Sequence, residues 1–327
     1  MKLFGFYLRL VRYRVAIMLL FFFLFGAAAH RPLRPFSLQY VLAFLALLSS
    51  YVAATSINDI VDKKVDEVNH PRNGDRLLVT GEATARDLYI LHVAACFLAL
   101  VSAGFIGALE VFIVSLSLLV NYLYSAPPIQ LSYRTHFAPI ILTIAYVFLP
   151  YWLGVAVSES RLTMSDSVML TALGCLFFGR ILLKDFRDRK GDKRFGKPTF
   201  LLVYGKKATC IVSSFAIALG NIILFVALPW KHLAVFGTLE IYFLFIYGFG
   251  YRLWIARTFR DEQGAIALGA RTGNGLLLTV LGLFVLAFER APIGAQLLFS
   301  GSLAMIYGFH AVMLITNPSS TVVSYKG

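Results

Sequence analysis

The sequence predicts an all-α fold, a polytopic bundle of transmembrane helices, on three observations. Hydrophobic residues make up 59% of the 327, charged residues only 14%, and the mean hydropathy is +0.76. The apolar residues gather into runs close to the ~20 residues that cross a bilayer as a helix. Lys and Arg gather in the segments between those runs and at the helix ends, which is where membrane topology requires them. The whole chain, 1–327, reads as a single integral membrane domain.

Each span follows from its own run. Residues 1–14 interleave Lys2, Arg9, Arg12 and Arg14 with Leu3, Phe4, Phe6, Leu8 and Leu10, the pattern of a basic interfacial helix. Val15–Ala29 is a short first span. Ala27-Ala28-Ala29 resembles a signal-peptide cleavage site, but the topology that follows works with the segment retained. Further runs lie near 37–57, 87–107, 109–126, 137–158, 166–184, 208–229, 233–256, 272–289 and 293–316. The break at Gly107-Ala108 is short enough to require a tight hairpin.

With the N-terminus inside, 25 of the 30 Lys and Arg fall on the cytoplasmic side, so the positive-inside rule supports that orientation. The same placement accounts for the net charge of +13 without nucleic acid as a partner. Cys96, Cys175 and Cys210 all lie inside apolar runs and have no metal-ligand spacing. The six histidines are scattered. Glu240, well inside a predicted span, reads as an interhelical hydrogen-bonding residue or a cavity acid.

Two polar stretches carry the chemistry. Asn58-Asp59-Ile60-Val61-Asp62-Lys63-Lys64-Val65-Asp66 puts three acids at relative positions 0, 3 and 7 directly after an apolar run. If the preceding helix continues, Asp59, Asp62 and Asp66 share one face. Asp185, Asp188 and Asp192 repeat the spacing after a later run. Carboxylates stacked at the end of a membrane helix repel one another, and a hard divalent cation removes the conflict. Mg²⁺ is commonly held by a few carboxylates together with substrate phosphate oxygens. The polar segments 58–86 and 185–207 are long enough for a helical extension and a cap over a cavity. Both acidic clusters then face the cytoplasm.

The paired motifs resemble those of the UbiA superfamily of intramembrane prenyltransferases. Asn121-Tyr122-Leu123-Tyr124-Ser125-Ala126-Pro127-Pro128, Lys184-Asp185-Phe186-Arg187-Asp188, Phe195-Gly196-Lys197-Pro198-Thr199 and Val79-Thr80-Gly81 extend the likeness from about residue 15 to 290. The resemblance implies nine core helices around a cavity open to lipid, with 293–316 as an additional span. It implies Mg²⁺ ions gripping a prenyl diphosphate through Asn58, Asp59, Asp62, Asp66, Asp185, Asp188 and Asp192. Arg180 and Lys184 would contact phosphate. Arg76 and Lys197 are further phosphate contacts or ordinary positive-inside residues. Tyr124, with Asn121 one turn before it, would face the reacting carbons.

Three features depart from the family pattern. Where the family often has a lysine shortly after the tyrosine, Ile129, Gln130, Leu131 and Ser132 follow, and Arg134 is the nearest cation. Asp75-Arg76-Leu77-Leu78 replaces the usual Asn-Arg-Pro-Leu, and there is one span beyond nine. The expected reaction is transfer of a prenyl group to an acceptor in the membrane, an aromatic quinone precursor by analogy alone. Two alternatives remain open. One is phosphoribosyl transfer to a polyprenyl phosphate within the superfamily. The other is transport, since the repeated cluster hints at two related halves.

Overall fold

The computed structural model describes residues 13–30, 37–71, 76–227 and 233–316. The predicted interfacial helix, 1–14, falls almost wholly outside them. The described residues are helical with no strand. In chain order the helices are α1 Tyr13–Ala28, α2 Leu38–Val61, α3 Lys63–Asn69, α4 Leu77–Thr80, α5 Ala85–Gly104 and α6 Ala108–Ser125. There follow α7 Phe137–Thr143, α8 Leu149–Val157, α9 Met164–Arg194, α10 Phe200–Ala227, α11 Leu233–Ile255, α12 Phe259–Phe288 and α13 Ile293–Thr316. Each predicted apolar run coincides with a helix or, at 137–158, with two helices joined end to end. Among the described residues, six helical stretches are long and apolar enough to cross a membrane, with shorter apolar stretches at Val15–Ala28, Phe243–Ile255 and Ile293–Ile306.

Helix ends follow local chemistry. Ser37 caps α2, its hydroxyl accepting from the Tyr40 N–H. Thr84 with Asp87, and Thr258 with Asp261, form reciprocal capping boxes at α5 and α12. The α7–α8 span carries a π-helical turn at Ile144–Phe148, immediately before Pro150. Pro150 has no N–H to donate and would crowd the preceding turn of a regular helix. A wide turn absorbs that misfit.

The chain divides into two compact units. The first comprises residues up to Leu162 together with Asp188–Thr199. Its core gathers Leu19, Phe23, Leu47, Tyr51, Ile113 and Leu153, with Ala43, Ala46, Ala99 and Ala103 fully buried among them. Helices α1 and α8 meet backbone to backbone. A Cβ on Gly154 would lie 2.0 Å from the Phe23 carbonyl oxygen, and one on Gly26 would lie 2.1 Å from that of Tyr151. Lipid supplies no hydrophobic drive between helices, so such close van der Waals approach at small residues holds them together.

The second unit comprises Thr163–Arg187 and the chain from Phe200 onward. There the Ser213 hydroxyl donates to the Gly179 carbonyl at 2.6 Å, tying α10 to α9. Lys206 on α10 pairs with Glu262 on α12 at 3.3 Å and also donates to the Ala256 carbonyl. Gln263 donates to the Phe186 carbonyl at 2.8 Å. Glu240 is exposed on α11.

A matched pair of substitutions tests the α1–α8 contact. Gly154→Ala drives a methyl into backbone and is expected to cost about 1–3 kcal/mol, lowering the thermal midpoint in detergent. Gly237→Ala, where nothing lies within 4 Å of the new Cβ, is expected to stay within about 0.5 kcal/mol of the parent. Equal effects at both positions would contradict the packing described.

Candidate active site

The first acidic cluster is built by a joint in the helix. α2 stops at Val61, Asp62 takes φ −87° and ψ 9°, and α3 begins at Lys63. The hydrogen-bond ladder nevertheless continues across the joint. The Asp62 N–H donates to the Asn58 carbonyl and the Asp66 N–H to the Asp62 carbonyl, each at 2.8 Å. Asp59, Asp62 and Asp66 therefore keep the shared face that their spacing predicts, and all three are buried.

Burying three carboxylates demands countercharge. Arg76, the residue just before α4, donates from Nη1 to Asp59 Oδ1 at 2.5 Å and lies 3.0 Å from Asp66 Oδ2. Lys197 Nζ donates to Asp62 Oδ2 at 3.1 Å, and Asn58 Nδ2 reaches the same oxygen at 3.2 Å. Asp62 Oδ1 is buried and accepts no hydrogen bond from the described residues.

The second cluster lies on α9, which runs about ten residues beyond the apolar segment. Asp188 and Asp192 are buried; Asp185 is half-buried one turn earlier on the same helix, in the portion belonging to the second unit. Arg180 is half-buried and Lys184 exposed on that portion. The end of α3 docks on the last turns of α9. His70 Nε2 donates to Asp188 Oδ1 at 3.1 Å, and the Gly191 N–H donates to Asn69 Oδ1 at 2.6 Å. A Cβ on Gly191 would sit 2.6 Å from the Val65 carbonyl oxygen, so a glycine is required where the two motifs approach.

Past α9 the chain turns at Gly196, φ +66°. The Lys197 N–H donates to the Asp192 carbonyl at 2.8 Å, and the Thr135 hydroxyl donates to that of Pro198 at 2.6 Å. Held this way, the Lys197 ammonium lies 5.3 Å from the centre of the Tyr133 ring, within cation–π range. Burial works to lower the Lys197 amine, but the negative charge of Asp62, the Tyr124 oxygen and Asp192 outweigh it and hold the amine above the ordinary lysine range. Burial, followed by the Asp62 and Asp192 charges, raises the Tyr133 phenol against the opposing effect of Lys197.

Deeper in the same unit, the Ser50 and Ser117 hydroxyls bond at 2.9 Å, and Asn121 Nδ2 donates to Ser117 Oγ at 3.4 Å. These three, with Tyr51, Tyr146 and Ala145, line a narrow cleft with room for about one water.

The sequence-predicted residues thus divide. Asn58, Asp59, Asp62 and Asp66 meet Arg76 and Lys197, and Tyr124 lies within electrostatic reach of Lys197. Asp188 and Asp192 lie on the helix that α3 docks against. Asn121 turns to the cleft, and Arg134 is exposed. Among the described residues no three His, Cys, Asp or Glu side chains converge tightly enough to hold a metal as they stand. The donor set itself, carboxylate oxygens with one buried oxygen left without a donor, suits a hard cation such as Mg²⁺. Residues not anticipated from the sequence are Asn69, His70, Tyr133 and Gly191. Asn69 and His70 follow Asp66 by three and four positions, a helical spacing that was there to be read. No local pattern marks Tyr133.

Residues 19–274 match the model of the UbiA prenyltransferase family. The bacteriochlorophyll synthase 34 kDa chain of Chloroflexus aurantiacus is 28% identical over 165 residues, 50% of this chain and 52% of that one. The digeranylgeranylglyceryl phosphate synthase of Methanothrix thermoacetophila is 29% identical over 201 residues, 60% and 68% of the two. The chain thus spans about half the length of the first of these relatives and about two thirds of the second. A UbiA homolog from Archaeoglobus fulgidus, solved bound to GPP and Mg²⁺, superposes with a TM-score of 0.66 at 18% identity, covering 91% of this chain and 99% of the other.

The Asp62–Lys197 pair can be tested by paired substitution. Lys197→Met strands a buried carboxylate and is expected to cost about 3 kcal/mol, read as a lower unfolding midpoint. Adding Asp62→Asn should recover most of that loss. A double variant no more stable than Lys197→Met would contradict the pairing.

Proposed function

The chain belongs to the UbiA prenyltransferase family, and we propose that it transfers a prenyl group from a prenyl diphosphate to an acceptor within the membrane, dependent on Mg²⁺. The observation that carries the proposal is the first cluster with its partners: three buried carboxylates against Arg76 and Lys197, one carboxylate oxygen lacking any donor.

In this reading Asp59, Asp62, Asp66, Asp185, Asp188 and Asp192 are the metal ligands, and Asn58 orients Asp62. Bound Mg²⁺ supplies neutralisation of the charge that builds on the departing diphosphate. Arg76, Arg180, Lys184 and Lys197 are the fixed cations that hold the diphosphate and favour its departure. Arg134, which is exposed, is a weaker contributor. The allylic carbon–oxygen bond breaks with its electron pair going to diphosphate. The acceptor carbon then bonds to the allylic cation and releases a proton. Tyr124 offers a π face to the cation, and Asn121 lines the approach from the cleft.

The acceptor is proposed to be aromatic, of the quinone-precursor type. Support comes from a relative named as a 2-acylphloroglucinol 4-prenyltransferase. The orientation proposed puts both acidic clusters at the cytoplasmic face, on the distribution of Lys and Arg.

The test is diphosphate release by protein in nanodiscs given Mg²⁺ and prenyl diphosphates of increasing length, over a panel of aromatic acceptors. Asp62→Ala and Asp188→Ala are each expected to lower acceptor-dependent release by about 10²-fold or more, and EDTA to abolish it. Release that survives both substitutions would refute the two-cluster mechanism.

A further inference from the structure

We infer that Arg76 and Lys197 have two alternating partners, the carboxylates of the first acidic cluster and the diphosphate of the substrate, so that divalent cation and diphosphate bind cooperatively. This rests on the metal-ligand reading proposed above and adds an order of affinities to it.

The inference starts from where the two cations stand. Arg76 reaches both Asp59 and Asp66, and Lys197 holds Asp62. Every carboxylate of the first cluster is therefore engaged by a cation of the chain itself. The five side chains are each only about a tenth exposed, so water screens these pairs weakly. A divalent cation entering alone has to displace them. That displacement parts a buried guanidinium and a buried ammonium from their carboxylate partners, which is costly. A diphosphate entering alone meets the same carboxylates and is repelled. When both enter, the metal takes the carboxylates and the two cations turn to phosphate oxygens, so every charge keeps an opposite neighbour.

Both cations are built to make that exchange. Arg76 is presented by the backbone just ahead of α4, and its forked head suits a bidentate phosphate contact as well as a bridge between two aspartates. Lys197 sits on the turn after α9, with its ammonium over the Tyr133 ring. A flexible four-carbon stem beside a π face can move its charge without leaving a favourable field.

Titrating Mn²⁺ into the full chain in nanodiscs, with free Mn²⁺ read by electron paramagnetic resonance, tests the inference. Wild type should bind Mn²⁺ weakly alone and tighten by about 5- to 150-fold, the usual span of coupling between sites, when inorganic pyrophosphate is present. Empty nanodiscs with the same pyrophosphate correct for its own chelation. Arg76→Gln and Lys197→Gln should each bind Mn²⁺ alone more tightly than wild type, by about 5-fold or more, and lose most of the pyrophosphate effect. Arg76→Lys, which keeps the charge and loses the fork, should bind Mn²⁺ alone as weakly as wild type and keep only part of the pyrophosphate effect, a pattern that misfolding would not give. Neutral variants that bind Mn²⁺ no better than wild type would overturn the inference while leaving the metal site standing. Wild type that binds no Mn²⁺ even with pyrophosphate would overturn the metal-ligand reading, and the inference with it.

Discussion

Mutual repulsion among buried carboxylates is the constraint on which the site depends. Asp59, Asp62, Asp66, Asp188 and Asp192 are all at most 9% exposed, at the ends of apolar helices. Uncompensated, a cluster of this kind would either take up protons or keep the helix ends apart. The chain answers with Arg76, Lys197 and His70 as donors and with Asn58 turned onto Asp62. The loops that bring those donors in are therefore part of the electrostatics of the cluster as well as its cover. The same groups, in the proposed reaction, face a diphosphate that must depart carrying added charge.

That electrostatic arrangement relies on steric permission elsewhere. α3 can lie against the end of α9 only because residue 191 has no side chain, and the Asn69–Gly191 hydrogen bond then fixes the register of one motif against the other. The α1–α8 contact through Gly26 and Gly154 uses the same device inside the first unit. In lipid, where burial of apolar surface gives helices no net reason to associate, close backbone approach and a few interhelical hydrogen bonds carry that burden.

Much of this was legible in the chain itself. The apolar runs located the helices, because a helix in lipid must be long enough to span and apolar enough to stay. The 0, 3, 7 spacing put each set of acids on one face, and the face survived the joint at Asp62 because the helical hydrogen bonds run through it. Less legible were the partners. Arg76 and Lys197 read from the sequence either as phosphate contacts or as ordinary positive-inside residues; their pairing with Asp59, Asp62 and Asp66 is a tertiary contact that no local pattern marks. Arg134 was the nearest cation to Tyr124 in sequence, yet Lys197, over sixty positions later, is the one within electrostatic reach of it. Tyr133 and Gly191 matter through long-range approach, and no local periodicity encodes that.

The most direct test of the central claim is an anomalous-difference map from crystals grown with Mn²⁺ and a prenyl diphosphate. The account predicts Mn²⁺ peaks bonded to carboxylates of both clusters and to diphosphate oxygens, with Arg76 and Lys197 turned from the aspartates to the phosphates. Diphosphate bound without metal at these aspartates, or Mn²⁺ bound elsewhere while Arg76 still bridges Asp59 and Asp66, would contradict it.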